Sequence, residues 1–156
     1  MDGTQSPERA RFQITAQPLD PAPLVALVGS PGHGAIVTFA GVARDNFGGR
    51  ATAYLEYEAY LEMAELVLAQ IADEAKSQFA IGSVAIHHRV GVLQIGETAV
   101  LIAVGSAHRE AAFAATAFLM DRIKQVVPIW KCEHWLDGST EWAGLEHMRK
   151  AQAGIG

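Results

Sequence analysis

A chain of 156 residues, half of them apolar and 19% charged, has the size and balance of one soluble globular domain with room for a core. Its net charge of −5 argues against a general nucleic-acid binder, which needs a basic face, and its single cysteine rules out an internal disulfide and suits a reducing cytoplasm. No apolar run approaches ~20 residues and no signal-peptide core is visible, so the expectation is a cytoplasmic protein without a membrane span.

In chain order, residues 1–10 are small and polar and read as a loose tail. Residues 11–16 alternate as a first strand, and Asp20 with Pro21 opens a short helix over 21–28 that Gly29 closes. Gly32, His33 and Gly34 form a turn in which His33 reads as ordinary loop. Residues 35–43 are β-rich and mostly apolar, a central strand in which Gly41 marks a bulge or a close backbone approach. Arg44 stands where this strand leaves the core, and Gly48 and Gly49 make the hairpin connection to an antiparallel strand over 51–59. An arginine at a strand end beside a mobile loop suits substrate binding, although ordinary surfaces carry the same arrangement.

An amphipathic helix over about 60–79 turns Ala64, Val67, Leu68, Ile71, Ala75 and Phe79 inward. The next strand, 84–90, contains His87 and His88, which as neighbours point to opposite faces and cannot share one metal, so no metal site is expected. Residues 91–96 are a short connection with a strand-like pattern, and 97–105 form a buried strand leading into a second long helix. Ser106 is expected to cap that helix, with His108 and Arg109 in its first turn, where two cationic groups oppose the dipole and call for a bound anion.

At 100° per residue, Phe113, Ala117, Met120, Ile123 and Val127 make an apolar stripe on this helix, and Lys124 falls about 20° from Phe113, inside the stripe. Such a lysine either snorkels to water or sits desolvated with a lowered pKa. Pro128 ends the helix. Residues 129–135 then alternate as a strand that puts Lys131 and Glu133 on one face and Cys132 on the other. Two of the chain's four lysines thus cluster beside Trp130 and Trp135, while a Lys/Glu pair on a strand is ordinarily a solvated face. An Asp137-Gly138 turn and Trp142 follow, and residues 146–156 are a polar C-terminal segment outside a single domain spanning 11–145. Two long helices on a mainly antiparallel sheet make the class α+β, with no internal repeat and no phosphate-cradling loop.

Arg109 and Lys124 lie fifteen residues apart on one helix, roughly 22 Å at about 1.5 Å per residue, too far for two side chains to share a small ligand. Either two separate sites exist, or one site joins the start of this helix from one protomer to its end from another. The second reading is preferred and implies a symmetric dimer.

The segments Phe39-Ala40-Gly41-Val42-Ala43-Arg44, Tyr57-Glu58-Ala59-Tyr60, His88-Arg89-Val90-Gly91, Ser106-Ala107-His108-Arg109 and Pro128-Ile129-Trp130-Lys131, with Asp121 and Lys124, resemble the large, catalytic subunit of molybdopterin synthase over about residues 35–142. The resemblance implies a hammerhead-like α+β fold. It also implies a sulfurtransferase of molybdenum cofactor biosynthesis that converts cyclic pyranopterin monophosphate to molybdopterin. Sulfur would come from the thiocarboxylated Gly-Gly C-terminus of a small ubiquitin-like subunit, with a homodimer of this chain at the centre of a heterotetramer and no cofactor of its own. By the same resemblance Lys131 and Lys124 are catalytic, and Arg44, His108 and Arg109, with Phe39, Met120 and Glu133, bind substrate. Glu133 either orients Lys131 or is a structural partner. Cys132, turned away from Lys131, is not expected to carry sulfur, and the terminal Gly154-Ile155-Gly156 lacks the Gly-Gly of the sulfur-carrying subunit. The rival is a non-catalytic dimeric scaffold that binds a ubiquitin-like tail and a phosphate.

Overall fold

The computed structural model describes residues 10–144. The expected tail (1–10), apart from residue 10, and the C-terminal segment (146–156) lie outside the described residues. The elements run β1 Phe12–Thr15, α1 Pro21–Val28, β2 Ala35–Val42, β3 Asn46–Phe47, β4 Arg50–Ala59, α2 Leu61–Gln78, β5 Ser83–Arg89, β6 Gly91–Gln94, β7 Thr98–Ser106, α3 Arg109–Val126, β8 Ile129–Trp135 and β9 Thr140–Gly144. The class is α+β, as expected. The strands divide into two sheets, however. One has the order β1-β5-β7-β2, with β1 and β5 parallel and the other pairs antiparallel. The other runs β3-β4-β8-β9, with β6 also paired to β4.

The first sheet is covered on both faces at its centre, whereas β2, expected as a central strand, is an edge strand and largely exposed. Alternation along β7 sends Val100, Ile102 and Val104 into the core formed with α2 and α3, while Leu101 and Ala103 meet Leu24 and Val28 of α1. That double burial explains why β7 reads as a continuous apolar run. Helix α1 starts as the sequence indicates, with Asp20 accepting from the Ala22 amide and proline in the first turn. Gly41 is required by a close approach: a Cβ there would lie 2.6 Å from Val100 Cγ1, and the β2–β7 register shifts at Gly41/Val42. Gly48 and Gly49 both take positive φ, as a two-residue hairpin turn with the strand twist demands, and so aim β3 back along β4.

Two expectations for α3 are corrected. Ser106 is not its cap: it ends β7 and its hydroxyl donates to the His108 carbonyl, so His108 occupies the cap position without a side-chain bond and Arg109 is the first helical residue. The buried stripe is not centred on Phe113, which is 62% exposed. It consists of Ala112, Ala115, Thr116, Leu119 and Ile123. Lys124 therefore lies on the exposed side of α3, and its aliphatic stem is not embedded in the core.

Candidate functional site

The site is built where the end of β2, the end of α3 and the start of β8 converge. Pro128 stops α3 and its carbonyl accepts from the Tyr60 amide, so β8 leaves the helix directly and pairs with β4 through Tyr57↔Lys131 and Leu55↔Glu133. The result is a cavity of about 690 Å³ into which Arg44, Lys124 and Lys131 open, with Phe39, Met120 and Trp130 as apolar wall. Two catalytic candidates and one binding arginine, separated in sequence, are thus brought together with the two apolar candidates. Trp130 is anchored by its indole N–H, which donates to Glu58 at 3.1 Å.

Lys131 is held from two sides. Its Nζ lies 3.5 Å from Glu133 Oε1 and 5.2 Å from the centre of the Phe47 ring, which the glycine turn delivers across the lysine. Glu133 is 6% exposed, so the solvated-face reading of this pair fails. Its other oxygen accepts from the Thr52 hydroxyl at 2.9 Å, and a carboxylate this deep is tolerated because a cation and a hydroxyl satisfy it. Glu133 is not itself a cavity wall; it reaches the cavity through Lys131. Arg44 and Lys124 have no carboxylate partner among the described residues. Two unneutralised cations and a paired one facing a partly apolar hollow favour negative charge there.

His108 and Arg109 are elsewhere. They line a second hollow of about 340 Å³ with Gly34, Ala35, Ala107 and Glu110, at the opposite end of α3. The helix that separates them from Lys124 keeps the two groups apart within one protomer, as its length requires. Cys132 is buried, faces away from the cavity and registers with Trp142 of β9; burial pushes its thiol pKa up, the reverse of a reactive thiolate.

Two cavity residues carry chemistry that the sequence reading did not assign, Tyr57 and His88. Burial, with the charge of Glu133 adding to it, pushes the Tyr57 phenol up to about 12. Burial pushes His88 down to about 4. Both sit in segments quoted for the resemblance, but only the fold shows which of the paired histidines faces the cavity. His87 points the other way and donates to the Ala10 carbonyl at 2.7 Å. His33, read as loop, is a packing wedge: its Nδ1 donates to the Val28 carbonyl at 2.8 Å, and its ring fills the space left open by Gly82 and Gly105. Among the described residues no helix is long and apolar enough to cross a membrane.

A family profile described as MoaE protein matches residues 14–126. The molybdopterin synthase catalytic subunit of Bacillus subtilis is 48% identical over 134 residues, which cover 86% of this chain and 85% of that protein. The crystal structure of molybdopterin synthase from Staphylococcus aureus superposes with a TM-score of 0.82 at 43% identity, covering 86% of this chain and 98% of that one. A Helicobacter pylori structure, described as a complex of subunits 1 and 2 of molybdopterin-converting factor, shares the fold at a TM-score of 0.59 and 20% identity, over 72% of this chain and 73% of that one. With its profile match, its close relatives and a cavity lined by the motif residues, this chain belongs to the MoaE protein family.

Proposed function

We propose that this chain is the catalytic subunit of a molybdopterin synthase. It would transfer sulfur from the thiocarboxylated C-terminal glycine of a small ubiquitin-like subunit to cyclic pyranopterin monophosphate. The observation that carries the reading is the convergence of Arg44, Lys124 and Lys131 on one partly apolar cavity. Both reactants are anions, a cyclic phosphate and a thiocarboxylate, and these cations match them. In each transfer the thiocarboxylate sulfur forms a carbon–sulfur bond at the pterin side chain as a carbon–oxygen bond at that carbon breaks, the oxygen staying on the phosphate or leaving as water. A further water then cleaves the acyl–sulfur bond so that the partner's tail leaves as a carboxylate. Lys131 supplies and takes up protons and stabilises the oxyanion, with Glu133 orienting its ammonium. Lys124 holds the thiocarboxylate. Arg44 holds substrate from the β2 side, with Phe39 and Met120 against the ring.

His108 and Arg109 bind the same substrate from a second protomer, which reconciles their distance from Lys131 with two composite sites per dimer, each drawing residues from both chains. The assembly is a homodimer of this chain with one small subunit at each end. The test is product formation from cyclic pyranopterin monophosphate and thiocarboxylated partner, using Lys131→Ala, Arg109→Ala and an equilibrated mixture of the two. Each variant alone should be inactive. The mixture should recover about a quarter of wild-type activity, since half the dimers are mixed and each mixed dimer has one intact site. No recovery would place the whole site within one chain. A folded wild-type complex without product would leave the non-catalytic scaffold.

A further inference from the structure

Of the polar groups in the cavity, the proposed chemistry leaves Tyr57 and His88 unused, and His88 is the one that offers a nitrogen acceptor. It lies on β5 opposite Val100 of β7 and is 4% exposed. Its Nδ1 donates to the Arg89 carbonyl at 2.8 Å, so the ring proton sits on Nδ1 and Nε2 carries a free lone pair. Nε2 has no hydrogen-bond partner among the described residues. It is also not sealed: among the described residues the buried side-chain polar atoms without a partner are Arg89 Nε and Trp135 Nε1, which leaves His88 Nε2 open to the cavity that the residue lines. Tyr57 packs its ring against the imidazole at 5.1 Å in an edge-on arrangement and fixes its plane.

The imidazole is neutral at ordinary pH because burial disfavours its charged form. The cavity therefore has two chemically distinct parts. Arg44, Lys124 and Lys131 donate only, whereas His88 Nε2 accepts only. An acceptor that opens on a cavity is available to a ligand N–H, and a ligand that covers it without offering one leaves it unpaired at a cost. Resting on the functional reading above, we propose that His88 is a specificity-determining residue whose Nε2 accepts a hydrogen bond from a ring N–H of the pterin, while the cations take its phosphate and the thiocarboxylate. Sites of this kind discriminate strongly against heterocycles that lack the donor, because the protein acceptor is then left unpaired.

The experiment compares wild type, His88→Phe and His88→Gln, each in complex with thiocarboxylated partner. His88→Phe fills the space without an acceptor, and His88→Gln restores one. The expected result is a KM for the pterin raised about tenfold to a hundredfold in His88→Phe, with kcat within about threefold of wild type and the affinity for the partner unchanged. His88→Gln should recover most of the loss. An unchanged KM in folded His88→Phe would overturn the inference while leaving the function intact; absence of turnover by wild type would instead remove the function. A second measurement needs neither a variant nor turnover. The imidazole ¹⁵N signal of Nε2 in wild type should move on saturation with the pterin substrate, while Nδ1 stays put. A Nε2 signal that does not move at saturation, or a wild type that binds no pterin, would overturn the assignment.

Discussion

Lys131→Ala separates charge balance from chemistry, because Glu133, 6% exposed, keeps among the described residues only Thr52 as a hydrogen-bond donor. At 3.5 Å and an effective dielectric constant of 20, the direct Lys131–Glu133 attraction is about 5 kcal/mol. Desolvation of both groups offsets more than half of it, and Lys131, 31% exposed, is partly screened by water, so the net coupling should be about 1–2 kcal/mol. The contact with Phe47 adds about 0.5 kcal/mol. Lys131→Ala should therefore destabilise the fold by about 2 kcal/mol. Glu133→Gln, whose amide oxygen still accepts from Thr52, should recover about 1 kcal/mol when added to Lys131→Ala.

The assay is urea unfolding of wild type, both single variants and the double variant, combined as a double-mutant cycle, with turnover measured on the same four proteins. Stability should return in the double variant and turnover should not. A coupling below about 0.5 kcal/mol would show that the pair is a surface contact of no consequence. Turnover that returned with stability would show that Lys131 supports the fold and is not a chemical participant.

Lys124→Ala should change the melting temperature by less than about 2 °C, because the side chain is exposed on α3, yet lower turnover about a hundredfold through loss of a cavity cation; calorimetry and the product assay check both halves. Gly82→Ala would place a Cβ 2.0 Å from His33 Nε2 and should cost about 3 kcal/mol, or roughly 6–12 °C; adding His33→Ala should restore part of it, since the nearest clashing atoms are all in that ring. The pH dependence of stability should carry the signature of His88. Its imidazole titrates near 6.5 in the unfolded chain and about 4 in the folded one, so as pH falls through that window the unfolded state takes up a proton that the native state does not. Stability should drop by roughly 3 kcal/mol across it, and His88→Phe should flatten the curve of melting temperature against pH over that range.

Strand positions were legible wherever alternation and punctuation coincide: Gly41 in β2, the Gly48-Gly49 turn, and Pro128 followed by the alternating run of β8. That alternation was enough to put Lys131 beside Glu133 and to turn Cys132 away. The burial of Glu133 was not legible, because it depends on β4 and Thr52 covering the strand from another part of the chain. Helix α3 misled for a physical reason. Its buried face is made of Ala112, Ala115 and Thr116 with Leu119 and Ile123, small residues that let the helix lie close against α2 and the sheet, where α2 offers Ala64, Ala72 and Ala75 in turn. An angular count that weights bulky residues finds Phe113 instead and rotates the stripe by roughly a quarter turn.

That rotation changes the meaning of Lys124. Placed in the core it would be an anomaly to be explained by snorkelling or by desolvation; placed on the exposed flank at the last turn of α3, it meets Lys131 across the cavity because Pro128 turns the chain at that point. The length of the same helix then carries the argument furthest. Eighteen residues of straight helix hold His108 and Arg109 at one end and Lys124 at the other, and no side-chain movement within a single chain closes that gap. The residues of one motif set are divided between two hollows on each protomer, and the proposed reading has a second copy bring its Arg109 end to the first copy's Lys131 so that one small anionic substrate meets both. Complementation between Lys131→Ala and Arg109→Ala is therefore the experiment on which the shared-site reading stands or falls, since a site contained in one chain gives no activity from that mixture.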